Sequence, residues 1–230
     1  MVPISVWTVR TDSPLPPLYD SLLTADERAK AQRFCCHPDQ QRYRVVRIAL
    51  RLLLAATLDC APATIRFNYS ANGKPCLASP SLPWHFNVSH SGNVGLIGIA
   101  NNRIIGVDLE VIKPKANVVH LAQRFFSPTE TRTLRAQTGE TQQRTFYQLW
   151  TAKEAFLKAT GLGIGGGLNQ VVLASDRQHY HSLPHPYQVA DWQLFSLPLL
   201  DAYWGAIALQ NSHQSPASIT IQSYRWDDYF

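Results

Sequence analysis

Two short stretches carry most of the chemistry this chain offers. The first is Arg103-Ile-Ile-Gly-Val-Asp-Leu-Glu-Val-Ile112, an apolar, β-branched run interrupted by Asp108 and Glu110. Such a run reads as a buried strand, on which residues two apart point to the same face. Paired carboxylates there repel unless something positive lies between them, and a hard divalent cation such as Mg²⁺ suits their oxygens. Two solvated acids, each facing its own Lys or Arg, are the alternative this stretch leaves open. The second stretch is Trp150-Thr-Ala-Lys-Glu-Ala-Phe-Leu-Lys158. Trp150, Glu154 and Lys158 recur at i, i+4, i+8 on one helical face, one turn after Phe146. A surface Glu–Lys pair is one reading. A stripe that begins with two aromatics is expected to be partly buried, and there Glu154 can complete a three-carboxylate metal site while Lys158 holds a phosphate.

Other groups suit anions. On a helix over 39–58, periodicity sets Arg44, Arg47 and Arg51 on a solvated stripe and Arg42 opposite, with Val46, Ala49 and Leu53. A charge on that apolar face needs a carboxylate or a bound phosphate to meet it, and the sequence leaves both open. Ser89-His-Ser-Gly92 reads as a turn, either an ordinary polar hairpin or an anion nest with side-chain donors. Ala71-Asn-Gly-Lys-Pro75 reads as a turn with an exposed lysine, Lys74. The glycine run from Gly161 to Gly167 contains G-x-G-x-x-G but follows a helix, so it reads as a C-cap and flexible loop. No Walker A sequence is present, which argues against a P-loop nucleotide enzyme.

The elements that must position these groups alternate strand and helix. Strands are expected at 4–9, 65–69, 86–88, 94–100, 104–110, 171–174, 203–209 and 219–226. Thr24 with Glu27, and Ser127 with Glu130, are capping boxes that open helices, the second 103 residues after the first. Long helices over 39–58 and 141–160 follow at nearly the same offset. This order predicts an α/β (α+β) chain of two similar halves related by a pseudo-two-fold axis, 1–102 and 103–230, with the active site in the cleft between them.

The 230 residues suffice for a sizeable core, and 45% apolar with 16% charged residues is globular. A formal charge of +5 suggests an acidic partner. Four cysteines without metal spacing, two of them adjacent, suggest reduced thiols in a cytoplasmic protein. The N-terminus lacks a signal-peptide pattern, and no apolar run is long enough to span a membrane.

Taken together, Phe86-Asn-Val-Ser-His-Ser-Gly92, Ile105-Gly-Val-Asp-Leu-Glu110 and Trp150 to Lys158 with Gly161-Leu-Gly163 resemble the 4′-phosphopantetheinyl transferases of the larger, surfactin-synthetase-activating type. Asn72-Gly-Lys-Pro75 and Arg33-Phe34 add to the resemblance. It implies a monomer that binds coenzyme A and Mg²⁺ (Mn²⁺ in its place) between two α/β halves. It implies transfer of phosphopantetheine to a serine of an apo acyl or peptidyl carrier protein, with neither nucleic acid nor membrane as partner. By the motif match Asp108, Glu110 and Glu154 hold the metal, Glu154 is the candidate general base, and Lys158 neutralises the pyrophosphate. Lys30, Arg42, Lys74, Ser89 and His90 contact coenzyme A, as does Asp108 through its metal. Two departures stand out: the triple glycine after Gly163 is long, and Glu27 lies where some relatives have a basic residue, with Arg28 its neighbour. A metal-dependent nuclease or phosphodiesterase is the alternative reading, although the basic residues form no concentrated tract. A non-catalytic carrier-protein binding module is another, against which stand the three acids.

Overall fold

The chain opens with strand β1 (Ile4–Arg10) and a 3₁₀ turn at Pro17–Leu22, then helices α1 (Ala25–Gln32) and α2 (His37–Leu58). Strands β2 (Arg66–Tyr69), β3 (Pro75–Ser79), β4 (Trp84–Ser91), β5 (Val94–Asn101) and β6 (Ile105–Val111) follow. Next come helices α3 (Val118–Phe125), α4 (Pro128–Arg135) and α5 (Gly139–Thr160). Strands β7 (Val172–Leu173), β8 (Tyr180–Ser182), β9 (Trp192–Leu199), β10 (Tyr203–Gln210) and β11 (Ile219–Ser223) complete it. This computed structural model describes residues 4–114, 117–163, 165, 167–199, 202–211 and 218–225. Trp226, expected to end the last strand, lies outside them.

The α/β class expected from the sequence is the one observed. One sheet has the order β11-β1-β5-β4 and another β6-β10-β9, while β2-β3 and β7-β8 are separate hairpins. β11 runs parallel to β1, so the last described strand returns to the sheet of the first. α2 packs through Val45, Ile48, Ala49 and Leu52 on one side of the first sheet. α5 packs through Ala152, Ala155, Phe156 and Ala159 against β10 residues Ala206 and Ala208. A third core joins the two sheets, with Val6, Leu96, Val107, Leu109 and Ile207 all fully buried. Burial of this kind stabilises by roughly 1.5–3 kcal/mol per large side chain, which locks the sheets together.

Both capping boxes form, and each has a second use. Thr24 Oγ1 accepts from Glu27 N and Glu27 Oε2 accepts from Thr24 N; Ser127 and Glu130 repeat the arrangement. The same Glu27 carboxylate receives Arg51 of α2 through Nε at 2.9 Å and Nη2 at 3.1 Å, and Arg51 Nη1 donates to the carbonyls of Pro62 and Ile65. Glu130 receives Lys153 Nζ of α5 at 2.8 Å, and Lys153 donates to the carbonyls of Leu168 and Val171. In each case a buried cation ties a short helix, a long helix and the segment after it to one carboxylate.

This arrangement corrects the expected arginine stripe. Arg44 is partly exposed and meets Asp20 at 2.7 Å, but Arg47 and Arg51 are 8% and 1% exposed. The helix is covered on both sides, by the first sheet on one and by α1 with Phe67 of β2 on the other. The guanidinium carbons of Arg47 and Arg51 lie 4.9 and 5.3 Å from the Phe67 ring centroid.

Lys153 is fully buried with its charge answered by Glu130, so removing it leaves a buried carboxylate without its cation. Lys153→Met is expected to lower unfolding free energy by about 3–5 kcal/mol in urea titrations. A loss below about 1 kcal/mol would show that the pair is not what holds α4 to α5.

Candidate active site

The site forms where a face of β4 meets the edge of β6. No backbone ladder joins these strands; three alternate side chains of β4 take its place. Asn87 Oδ1 accepts from Val107 N at 2.8 Å, Ser89 Oγ from Leu109 N at 3.3 Å, and Ser91 Oγ from Val111 N at 3.1 Å. Each serine, accepting from a backbone N–H, directs its own proton onward. Ser89 Oγ donates to Asp108 Oδ1 at 2.9 Å and Ser91 Oγ to Glu110 Oε2 at 2.8 Å. Ser89 and Ser91 therefore belong to strand β4, not to the turn expected, and their hydroxyls orient the two carboxylates.

Helix α5 closes over this joint at Gly106. A Cβ there would stand 2.0 Å from the Ala155 carbonyl oxygen and 2.4 Å from Ala159 N. The missing side chain lets α5 lie directly on β6, which carries Glu154 and Lys158 to the acids. Lys158 Nζ donates to Asp108 Oδ1 at 2.6 Å and to Ser89 Oγ at 2.8 Å. Glu154 is 5% exposed, and the stripe of Phe146, Trp150, Glu154 and Lys158 is at least partly buried, as expected. Burial first, then the charges of Asp108 and Glu110 against that of Lys158, push the Glu154 carboxyl up to about 7.

The donor set fits a hard divalent cation. Asp108 Oδ2 and Glu154 Oε1 are buried and accept no hydrogen bond among the described residues. Asp108 and Glu110 lie close enough to Glu154 to raise its proton affinity, a density of negative charge that a divalent cation answers. As they stand, with Lys158 on Asp108, no three His, Cys, Asp or Glu side chains among the described residues converge to ligating distance.

Beside the acids lies a cavity of about 310 Å³ lined by Lys30, Tyr43, Arg47, Ser89, His90 and Lys158, among others. It adjoins a larger one of about 900 Å³ across Lys30, Phe34 and Tyr43. Lys30 Nζ stands 5.6 Å from the Tyr43 ring centroid and 5.4 Å from that of Tyr69. Its pKa is held below the usual lysine value by desolvation and by Arg47 and Arg33. Partial desolvation and the charges of Arg42 and Lys158 hold His90 below the usual histidine value.

Lys74 is not the exposed turn lysine expected. It is partly buried, donates to the Ala159 carbonyl, and joins Asn72, whose Nδ2 reaches Gly161 O at 2.8 Å, in capping the C-terminus of α5. The helix ends there because Gly161 takes a left-handed φ of 74°. Burial pulls the Lys74 amine down to about 8, and with Lys158 it lines a further cavity of about 210 Å³. Arg42 meets Asp39 at 2.6 Å, so of its two readings the local salt bridge is realised here. Arg28, next to Glu27 in the chain, donates to the Leu23 carbonyl.

Sequence reasoning missed Asn87 and Arg47. Asn87 is the first member of the alternation Asn87, Ser89, Ser91 along β4. That period-two polar pattern in an otherwise buried strand was the available signal. Arg47 had none, because its burial depends on β2 folding over α2.

Residues 17–102 match the family model described as 4′-phosphopantetheinyl transferase, N-terminal, and residues 104–208 that of the 4′-phosphopantetheinyl transferase superfamily. The chain is 46% identical to a putative 4′-phosphopantetheinyl transferase of Synechocystis, over 96% of this chain and 94% of the relative. It is 38% identical to the 4′-phosphopantetheinyl transferase HetI of Nostoc, over 70% of each. It is 35% identical to the 4′-phosphopantetheinyl transferase Sfp of Bacillus subtilis, over 71% of this chain and 72% of that one.

The contact at Gly106 sets how closely α5 can approach β6. Gly106→Ala forces a backbone shift and is expected to cost at least about 2 kcal/mol in urea unfolding. Wild-type stability in that variant would mean that α5 is not seated by this glycine.

Proposed function

The chain belongs to the 4′-phosphopantetheinyl transferase superfamily, and from that membership we propose that it is an enzyme moving the 4′-phosphopantetheine group of coenzyme A onto a serine hydroxyl of an apo acyl or peptidyl carrier protein. Adenosine 3′,5′-bisphosphate is the second product, and the enzyme acts as a cytoplasmic monomer. The observation that carries this reading is the gathering of Asp108, Glu154 and Lys158 at the β4–β6 joint, beside a cavity lined by Lys30, Arg47 and His90. Acids beside the cations Lys30 and Arg47 suit a pyrophosphate held with a divalent metal.

Asp108, Glu110 and Glu154 hold Mg²⁺, or Mn²⁺, in this reading. When bound, the cation neutralises the pyrophosphate and makes its phosphorus easier to attack. Lys158 neutralises a further pyrophosphate oxygen. Lys30, Arg42, Lys74, Ser89 and His90 form the coenzyme A side of the cleft, Ser89 by holding Asp108 and Lys158 in place. The carrier serine oxygen bonds to the phosphorus bearing the pantetheine arm, and the bond from that phosphorus to the bridging oxygen breaks. The electron pair leaves with adenosine 3′,5′-bisphosphate, and the serine proton passes to Glu154 as general base. Positioning and charge neutralisation carry such a transfer, with no covalent enzyme intermediate. A formal charge of +5 suits a carrier that is acidic around its serine.

The test is to incubate the protein with coenzyme A, Mg²⁺ and an apo carrier and to weigh the carrier. A gain equal to one phosphopantetheine group is expected, and Asp108→Asn should slow it by about a hundredfold or more. An unmodified carrier, or an Asp108→Asn protein keeping a tenth of wild-type turnover, would overturn the assignment.

Lys74 gives a pH test. Its amine, at about 8 in the free protein, must be protonated to hold an anion, so coenzyme A affinity should fall as pH rises through 8. Arginine stays charged throughout that range. Calorimetric titration from pH 7 to 9 should show a fall in wild type that is smaller in Lys74→Arg. Parallel pH profiles would remove Lys74 from the coenzyme A contacts.

A further inference from the structure

We infer that Tyr203 is a positioning residue for Glu110, acting on it through Ser91 from the far face of the sheet; the inference rests on the transferase reading above. β10 pairs with β6 so that Tyr203 stands across from Val111, and Trp204 across from Glu110. Neighbours on a strand face opposite ways, so Glu110 leaves β6 on the face of Asp108 while Tyr203 packs against the core between the sheets. From there its hydroxyl reaches the turn that joins β4 to β5.

That turn is short and closely fitted. Ser91 is paired with Val94, which leaves Gly92 and Asn93 between them. Asn93 N donates to Tyr203 Oη at 3.1 Å. A Cβ on Gly92 would stand 2.6 Å from the same oxygen, and Gly92 takes a left-handed φ of 54°. The bare glycine lets the turn lie against the hydroxyl. Asn93 O, in turn, accepts from Thr11 N just past β1 at 2.9 Å, so the turn is tied to both sheets.

These contacts close a ring. Tyr203 holds Asn93, Asn93 leads back through Gly92 to Ser91, and Ser91 Oγ accepts from Val111 N, the ladder partner of Tyr203. Ser91 is the last residue of β4, and a hydroxyl at a strand end keeps its direction when the backbone beyond it is fixed as well. With the ring closed, Ser91 Oγ donates to Glu110 Oε2 at 2.8 Å. Asp108 depends on the turn less, being 3% exposed and receiving both Ser89 and Lys158. Glu110 is only half-buried, so its aim rests more on Ser91.

Tyr203→Phe removes the hydroxyl and keeps the ring; Asn93 is exposed, so water takes over its N–H and the fold is retained. Amide hydrogen exchange followed by NMR, on the protein without ligands, reads the brace directly. The variant should speed exchange about fivefold at Asn93 and at least about threefold at Val111, the range of one hydrogen bond, with Val107 and Leu109 unchanged. In carrier-transfer assays the Mg²⁺ concentration giving half-maximal rate should rise at least about threefold, and saturating Mg²⁺ should restore the wild-type kcat. Ser91→Ala should raise that concentration by about 10- to 100-fold, and Tyr203→Phe should add nothing further in the same chain. Additive effects, an unchanged Mg²⁺ requirement or an unchanged Val111 amide would overturn the proposal. Equal acceleration at all of these amides would overturn it too, as general loosening of the joint. Wild type that transfers nothing at any Mg²⁺ concentration would defeat the transferase reading itself. Wild type that transfers, beside a Tyr203→Phe protein with the same Mg²⁺ requirement, would defeat only the role of Tyr203.

Discussion

The structure depends on three side chains that stand in for a missing backbone ladder. β6 presents the N–H groups of Val107, Leu109 and Val111 to β4, and each buried N–H needs an acceptor. β4 meets them with the alternate residues Asn87, Ser89 and Ser91, because side chains two apart on a strand leave the same face. A hydroxyl that accepts from an N–H has one proton left to place. In Ser89 and Ser91 that proton points to a carboxylate, so the bonds that join the sheets also aim Asp108 and Glu110. The aim of these carboxylates and the joint between sheets rest on one set of hydrogen bonds, and neither can loosen without the other.

A second constraint fixes the helices that flank the joint. Glu27 and Glu130 each close a capping box and each neutralise a buried cation on the long helix that follows. The cations differ, and their donor counts match their surroundings. Arg51 offers a fork to both Glu27 oxygens and its remaining nitrogen to two carbonyls. Lys153 has three N–H groups for three acceptors: Glu130, Leu168 O and Val171 O. The same local solution therefore appears about a hundred residues apart with different chemistry, beyond what identity of residues would reveal. Only the second serves the acids directly, since Lys153 is next to Glu154 on α5.

Much of this was legible in the chain itself. Capping boxes, long amphipathic helices and the strand holding Asp108 and Glu110 depend on local rules, and all formed where expected. The spacing of Trp150, Glu154 and Lys158 correctly anticipated a partly buried stripe, because the aromatics one turn apart have nowhere to go but inward. What local rules missed involves partners far away in sequence. Arg47 and Arg51 read as solvated until β2 brings Phe67 across them. Lys74 read as exposed until the β2–β3 turn meets the end of α5, eighty-five residues on. β9 lies outside the strands expected, and its Pro198 is tolerated because β9 is an edge.

The charges of the cleft impose an order on what can occupy it. Asp108, Glu110 and Glu154 alone would repel a pyrophosphate; burial first, and then the charges of Asp108 and Glu110, already raise the proton affinity of Glu154. The charges of Lys30 and Arg47 in the adjoining cavity would equally disfavour a free metal ion. Lys158 spans the division, donating to Asp108 while lining the cationic cavity. On the proposed reading a metal and a polyanion therefore stabilise each other in the cleft more than either is stabilised alone. A nuclease built on the same acids would need its cations along an exposed track for an extended backbone. Here they line a cavity of about 310 Å³ beside the acids, which suits a compact phosphorylated cofactor.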